Sequence, residues 1–429
     1  MKEEEGNMEG KRVVLHLLRS EDGGAGQYSM NIHHLMLELG YRSYVCVNDQ
    51  RLLCPNGKEI PIAKHHRLFL WNKFRRSVFR KVVECWGHVD AKYLGFNLSE
   101  RFLCHSYKDV LDAIPEVPTD IMVHWVSGYA NSKYVRDLQQ ATRAKTYYWM
   151  IDEAPLSGAC HYPWDCEQYQ SGCKDCPMTD AKLVKRSIEK NFLYKEKYLV
   201  PGRRLVLPTE MDRIRAERSL LWKGIPNLKL IEIVDEYDFC PSDDMEKLRE
   251  FFKIPHGKRV VLFGSGDIKE ERKGIATLMK AIAMIDRDDM VYLVAGRKSD
   301  WLAATNVISL GYVDIPTLIK AYQVSDVFVC SSLEDSGPQM INQSIMCGTP
   351  VVAFKMGVAI DIVKTGETGY LAKWNDAEDM AHGINYILDL NQKDYQRMSV
   401  ECRSMALETY SKRVFGGLIK KLFLNDYSF

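Results

Sequence analysis

The sequence predicts an α/β fold made of two doubly wound lobes. Short apolar runs alternate with longer segments of helical period, a pattern typical of parallel βα units. The pattern begins twice, at residues 12–18 (RVVLHLL) and 259–263 (RVVLF), and a glycine-containing turn follows each start. A chain of 429 residues is long enough for two such lobes.

The first lobe is predicted to span residues 12–234, after a polar segment at 1–11 that we expect to be a disordered leader. Gly23–Gly26 predicts a turn after the first strand, and residues 27–39 have the apolar spacing of a helix. The apolar runs that predict strands in this lobe lie at 12–18, 44–47, 121–125, 144–149, 204–208 and 228–234.

The second lobe is predicted to span residues 245–400, after a polar linker at 235–244. A second glycine turn at 264–266 separates its first strand from a helix at 275–285. The predicted strands lie at 259–263, 290–295, 307–310, 326–330 and 350–354. Apolar residues at helical spacing over 410–424 predict a helix near the end of the chain.

Composition narrows the class of protein. With 46% hydrophobic and 27% charged residues the chain resembles an ordinary globular protein. The net charge of +1 gives no general attraction for nucleic acid, and no nucleic-acid-binding motif is present. The start lacks the apolar core of a signal peptide, and twelve cysteines without a secretion signal suggest reduced thiols. We therefore expect a cytoplasmic protein.

Residues 332–354 (SLEDSGPQMINQSIMCGTPVVAF) carry most of the predicted chemistry. A strand ends, acidic residues follow, and Pro338 suits the first position of a helix that Asp335 or Ser336 can cap. A helix that starts at the carboxyl end of a parallel strand offers free N–H groups and a partial positive charge to a phosphate. Gly337 would let the backbone approach a diphosphate. The alternative is a well-capped helix without a ligand.

The same segment resembles the family 4 glycosyltransferases, which have the GT-B fold of two Rossmann-like lobes facing a cleft. Their pattern of an acid, seven residues and a glutamate before C-G-T-P-V-V reads here as Asp335, Gln343 and residues 347–352. The resemblance implies that Asp335, or its neighbour Glu334, faces the donor sugar and that Gln343 binds the nucleotide ribose. Gln343 departs from the family's glutamate and carries no charge.

Two further elements of the second lobe match this family. Arg272-Lys273-Gly274 resembles the motif whose basic pair grips the donor diphosphate, although such a pair is otherwise an ordinary solvated surface feature. Val313, in a loop between strands, resembles the residue that frames the nucleotide base. The resemblance also implies that the segment 401–429 contains a helix that crosses back to the first lobe.

The first lobe matches the family more loosely. Gly24 falls in a stretch that resembles the family's first glycine loop near the diphosphate, and His124 in a D-x-x-x-H-W stretch that faces the cleft. Asp152 matches the aspartate of a His-Asp motif, but Ile151 replaces the histidine, and Asp152 could present a carboxylate to the acceptor. A core histidine is the alternative for His124.

Four cysteines follow within seventeen positions: Cys160, Cys166, Cys173 and Cys176. These four thiols, which end in a C-x2-C pair, could together hold a structural zinc ion. A disulfide and free thiols are the alternatives, and the sequence leaves all three open. Residues 65–86 interleave basic and aromatic side chains. This pattern indicates either contact with an anionic membrane surface or a packed amphipathic helix.

Together these features predict a retaining hexosyltransferase of a branch that acts in bacterial capsule, O-antigen or exopolysaccharide synthesis. It would move a hexose from a nucleotide-diphosphate sugar to a hydroxyl of a lipid-linked glycan without a catalytic metal, on the inner face of the cell membrane. A catalytically idle nucleotide- or glycan-binding protein and a nucleotide-sugar epimerase of the same fold are the alternatives.

Overall fold

A computed structural model describes residues 12–48, 51–63, 66–95, 98, 100–102, 105–265, 270–296 and 306–424. The predicted leader, Gly266 of the second glycine turn and His65 of the basic aromatic stretch lie outside the described residues. The chain divides into two compact α/β units, as predicted. The first runs to Pro208 and also includes Asp212–Leu230 and the residues from Lys420 on, and the second comprises Thr209–Met211 and Ile231–Ile419. The predicted linker 235–244 falls within the range of the second unit.

The first unit is built on an eight-stranded sheet in the order β4-β3-β2-β1-β5-β6-β7-β8. Every residue of β1 is buried, as an apolar central strand requires, and all pairings from β2 through β1 to β8 are parallel. The strands are β1 Val13–Leu18, β2 Arg42–Val47, β3 Arg51–Leu53, β4 Glu59–Pro61, β5 Asp120–Val123, β6 Lys145–Trp149, β7 Arg204–Leu207 and β8 Asn227–Lys229. The helices that begin between residues 12 and 208 are α1 Gly23–Glu38, α2 His66–Trp86, α3 Tyr107–Ala113, α4 Ser132–Thr142 and α5 Lys182–Lys197.

The second unit contains a fully parallel six-stranded sheet in the order β11-β10-β9-β12-β13-β14. Its strands are β9 Arg259–Ser265, β10 Met290–Gly296, β11 Val307–Gly311, β12 Val327–Cys330, β13 Val351–Phe354 and β14 Gly369–Ala372. The remaining helices of the chain are α6 Glu210–Arg218, α7 Met245–Phe251, α8 Ile275–Ala283, α9 Ile315–Val324, α10 Gln339–Met346, α11 Ala359–Ile362, α12 Ala377–Leu388, α13 Gln392–Thr409 and α14 Lys412–Leu424. In this order the chain changes direction between β9 and β12, the switch point where doubly wound sheets bind ligands.

Five elements differ from the sequence prediction. The predicted turn at Gly23–Gly26 is wrong, because α1 already begins at Gly23. Gly26 permits this start, since a Cβ there would lie 2.4 Å from the carbonyl carbon of Glu21. The predicted strand at 228–234 is reduced to β8, and the sequence pattern missed β3, β4 and β14, which are only three or four residues long.

Within the described ranges, no helix combines the length and the apolar character that crossing a bilayer requires.

Candidate functional site

The switch point of the second sheet gathers several of the predicted site residues. Arg272 and Lys273 follow β9, and Asp335 follows β12, the neighbouring strand. Because the carboxyl ends of parallel strands meet at one edge of a sheet, the loops after β9 and β12 lie side by side. The arrangement brings two cations and a carboxylate to the edge where this class of fold binds ligands.

The two cations converge on one oxygen. The Arg272 guanidinium donates to Asp335 Oδ2 at 2.6 Å, and Lys273 Nζ donates to the same oxygen at 2.6 Å. Burial alone would raise the pKa of Asp335, but the charges of Lys273 and Arg272 outweigh it and hold that pKa below its usual range. Asp335 is therefore an ionised carboxylate that fixes both cations in place before any ligand arrives.

Backbone contacts lock the two loops together. The carbonyl of Arg272 accepts the N–H groups of Leu333 at 2.6 Å and of Glu334 at 3.3 Å. The Ser331 hydroxyl donates to the carbonyl of Lys273 at 2.8 Å. Gly274 has a left-handed φ of +62°, and a Cβ there would lie 1.9 Å from the Ser331 carbonyl oxygen. Only glycine allows the two loops to approach this closely.

The helix after Asp335 begins beside a carboxylate that the sequence analysis did not single out. Pro338 is the N-cap of α10 and not its first helical residue, and neither Asp335 nor Ser336 caps the helix, which has no side-chain cap among the described residues. Glu232 is buried, and its Oε1 would lie 3.5 Å from a Cβ on Gly337. Glu232 comes from a segment about a hundred residues away, so no local pattern could reveal this contact.

Gln343 is held in a defined position by the core. The Tyr322 hydroxyl donates to Gln343 Oε1 at 2.9 Å, and the Thr349 hydroxyl donates to the carbonyl of Tyr322 at 2.7 Å. Tyr322 is fully buried in α9, which fixes the amide on α10. Glu334 is buried next to Asp335, whereas Val313 lies in the loop after β11, away from these contacts in the sequence. The ribose and base roles of Gln343 and Val313 stay predictions.

Two of the three predicted residues of the first unit line a pocket of that unit. His124 and Asp152 both line a pocket of about 650 Å³, part of which is open to solvent. His124 Nε2 lies 2.9 Å from His16 Nδ1, and burial lowers the pKa of His124 to about 3, so that its ring is neutral. Both oxygens of Asp152 are engaged by neighbours, and Gly24 lies in the first turn of α1.

The four clustered cysteines are free thiols packed in the core of the first unit. Burial raises the pKa of the Cys160 and Cys173 thiols far above the usual value, which keeps both protonated. In the part of the chain that the structure describes, no group of three or more His, Cys, Asp or Glu residues could hold a metal ion. Of the three alternatives, the structure supports free thiols and not the structural zinc.

Comparison with known proteins places the second unit in a family. Residues 244–405, which include both loops and α10, match the family model described as glycosyl transferases group 1. This segment of the chain therefore matches the group 1 glycosyltransferases. The predicted family, and with it the predicted glycosyltransferase activity, is confirmed for these residues. The likeness to solved structures over nearly the whole chain confirms the predicted GT-B fold.

One protein similar to this chain is WcaC of Escherichia coli (strain K12), which is named for colanic acid biosynthesis. It is 20% identical over 364 residues, which cover 81% of this chain and 84% of WcaC. A D-inositol 3-phosphate glycosyltransferase of Thermobifida fusca is 27% identical over 175 residues, 36% of this chain and 40% of the relative.

Two solved structures resemble the fold over nearly the whole chain. Sucrose-phosphate synthase of Thermosynechococcus elongatus has a TM-score of 0.66 at 16% identity and covers 96% of this chain and 99% of its own. Anabaena HepE, solved in complex with UDP-glucose, has a TM-score of 0.61 at 13% identity, with coverage of 96% and 99%. At these identities the likeness concerns the fold.

Proposed function

We propose that this glycosyltransferase is a retaining hexosyltransferase that acts on a lipid-linked glycan in cell-surface polysaccharide synthesis. The observation that carries the proposal is the triad of Arg272, Lys273 and Asp335 at the switch point of the second sheet. Arg272 and Lys273 would bind the donor diphosphate and stabilise the negative charge that grows on it as the glycosidic bond breaks. No catalytic metal is needed in this scheme, because two fixed cations supply the compensating charge.

The sugar would meet the carboxylates beside the cation pair. Asp335 is ionised and its carboxylate lies at the start of α10, with Glu334 and Glu232 buried nearby. Hydroxyl groups of a hexose donate well to such oxygens. Gln343, fixed by Tyr322, would bind the ribose hydroxyls with its amide.

Two independent features support a lipid-linked glycan as the acceptor. WcaC, which is similar over most of the chain, is named as a glycosyl transferase of colanic acid biosynthesis. Helix α2 exposes an apolar face between basic side chains, which suits an anionic membrane surface where a lipid-linked acceptor resides. Its exposed apolar side chains are Leu70 (61%), Trp71 (61%), Phe74 (60%) and Val78 (45%). The protein would then act as a peripheral enzyme on the cytoplasmic face of the membrane.

A transfer assay tests this function. The full chain is incubated with UDP-, GDP-, ADP- and CDP-hexoses and polyprenyl-diphosphate-linked saccharides in anionic vesicles, and nucleotide release and product anomer are measured. We expect one donor to release its nucleotide only when the acceptor is present, with the anomeric configuration of the donor kept in the product. An inverted anomer would contradict the retaining mechanism. Binding without release for every pair would favour the idle nucleotide-binding alternative, to which Ile151 and Gln343 point.

A further inference from the structure

Three side chains of the first unit form a hydrogen-bonded chain that donor binding at Arg272 and Lys273 does not use. Ser127 Oγ lies 3.1 Å from His161 Nε2, and His161 Nδ1 lies 2.6 Å from Asp152 Oδ2. With its Nδ1 proton donated to the carboxylate, His161 is left with Nε2 to accept the hydroxyl hydrogen of Ser127. This is the arrangement in which a serine becomes a nucleophile.

The chain is held rigidly. Asp152 Oδ1 accepts the N–H of Ala154 at 2.9 Å, which leaves Oδ2 directed to the histidine. The backbone of His161 is bonded on both sides, since its N–H donates to Tyr93 and its carbonyl accepts from Glu153, each at 3.0 Å. Ser127, His161 and Asp152 are all buried. A nucleophile relay depends on this kind of preorganisation, because little has to move when the proton is transferred.

The serine and the aspartate open on a pocket that could hold a substrate. Ser127 and Asp152 both line this pocket, which is partly open to solvent, and most of the other lining side chains are apolar, including Val126, Val135 and Leu199. Trp125 lines the same pocket, and its buried Nε1–H has no hydrogen-bond partner within the described part of the chain. An indole N–H in the lining of the same pocket is a donor suited to a carbonyl oxygen that becomes negatively charged.

We propose that Ser127 and His161 are the nucleophile and the base of a second activity, the hydrolysis of short-chain carboxylic esters bound in this pocket. Asp152 is a positioning residue that orients His161. Ser127 Oγ forms a bond to the acyl carbon while its proton moves to His161 Nε2, and that proton leaves with the alcohol when the ester C–O bond breaks. Water then attacks the acyl-serine, gives one proton through His161 to Ser127 Oγ, and releases the carboxylic acid. The proposal is independent of glycosyl transfer.

A serine-directed probe tests the proposal directly. The full chain is treated with a fluorophosphonate and digested, and the labelled peptide is identified by mass spectrometry, while p-nitrophenyl butyrate hydrolysis is followed in parallel. We expect the label on Ser127 and hydrolysis above the buffer rate. Ser127→Ala should abolish labelling and lower hydrolysis by about a thousandfold or more, the order of loss seen when a serine nucleophile is removed.

Ser171→Ala is the control, because Ser171 is an exposed serine of the first unit that does not line the pocket. It should keep both labelling and hydrolysis. Asp152→Asn should slow hydrolysis and move its pH profile while donor binding by the second unit is retained. Absence of label on Ser127 in the unmutated chain would overturn the proposal, as would hydrolysis that survives Ser127→Ala. Either result would mean that the three residues only brace the loop after β6.

Discussion

At the residue scale, Asp335 sets the charge balance of the donor site. Its Oδ2 receives both Arg272 and Lys273 at 2.6 Å, and the two cations keep it ionised in a buried setting. An incoming diphosphate would share these cations with Asp335, and the carboxylate would remain in place to face the sugar. Binding of the nucleotide and turnover should therefore respond differently when Asp335 loses its charge.

We predict that Asp335→Asn retains nucleoside diphosphate binding but lowers turnover by about a hundredfold or more, since the asparagine removes a negative charge beside the cations yet presents a neutral amide to the sugar. Titration calorimetry with the nucleoside diphosphate and a nucleotide-release assay measure the two effects. Asp286→Asn, at an exposed aspartate of the same unit, is the control and should change neither. Loss of nucleotide binding together with turnover would assign Asp335 a structural role only.

The sequence predicts individual residues of the second unit well where they belong to one local motif. Asp335, Arg272 and Lys273 lie in short motifs, and the order of the strands brings the motifs together. The sequence does not reveal the role of Glu232, because its contact with Gly337 depends on tertiary structure. The hydrogen bonds that link Asp152, His161 and Ser127 could not be predicted for the same reason, because they join three separate segments.

At the scale of elements, the loops after β9 and β12 act as one piece because of a glycine. Gly274 combines a φ of +62° with a contact that leaves no room for a Cβ. Gly311 has a similar φ of +68°, but a Cβ added there would have no atom within 4 Å. Comparing alanine substitutions at these two glycines therefore separates two contributions to the free energy of unfolding. One is the strain of the backbone conformation, and the other is the clash at the close approach.

We predict that Gly274→Ala destabilises the second unit by at least about 3 kcal/mol, from the left-handed conformation and the clash with the Ser331 carbonyl together. Gly311→Ala should cost only about 1 kcal/mol, since only the backbone conformation is strained there. Urea unfolding followed by circular dichroism gives both values. Equal losses for the two variants would contradict the tight contact between the loops.

Helix α2 is expected to contact an anionic membrane surface through its exposed apolar side chains. Replacing Trp71 and Phe74 by serine should reduce co-sedimentation with anionic vesicles by about tenfold or more, because both side chains would bury apolar area in the interface. The same double replacement at Leu183 and Leu193, two exposed leucines of α5, should leave co-sedimentation unchanged. Equal binding of the wild-type protein to zwitterionic vesicles would contradict the role of the basic side chains.

The elements themselves were predictable where the apolar pattern is long. The central strands of both sheets lie within one or two residues of their predicted positions. Short edge strands such as β3 and β4 have too few residues to show a period, and the glycines at the start of α1 suggested a turn although they allow a helix to pack on the preceding loop.

At the scale of the whole molecule, the repeated βα pattern yields two sheets, each with its own buried core, and buried histidines make the first core sensitive to acid. Burial lowers the pKa of His124 to about 3. The pKa of His16 is also lowered, mainly by burial and further by the neighbouring His124 and His33. The unfolded chain, with histidine pKa values near 6.5, therefore binds more protons than the folded unit at mildly acidic pH.

We predict that the free energy of unfolding is level above about pH 6.5 and falls as the pH drops from there towards 3, by about 1.4 kcal/mol per pH unit for each buried histidine. Tryptophan fluorescence follows this unit, since Trp149 and Trp222 lie in its core. His124→Gln should reduce the slope of the unfolding free energy against pH by about 1.4 kcal/mol per pH unit, because one fewer proton is taken up on unfolding. His256→Gln, at an exposed histidine, should leave the slope unchanged. A slope unaffected by His124→Gln would contradict the buried neutral ring.

We propose that Arg272 and Lys273 bind the diphosphate of the donor. Titration of the full chain with the nucleoside diphosphate of its donor tests this role most directly. Lys273→Ala should weaken binding by about tenfold to a hundredfold, the range for a lost charge-assisted bond. Lys280→Ala, an exposed lysine on the following helix, should leave the dissociation constant within about twofold of the wild-type value. Equal dissociation constants for Lys273→Ala and the wild-type chain would contradict the assignment of the donor site.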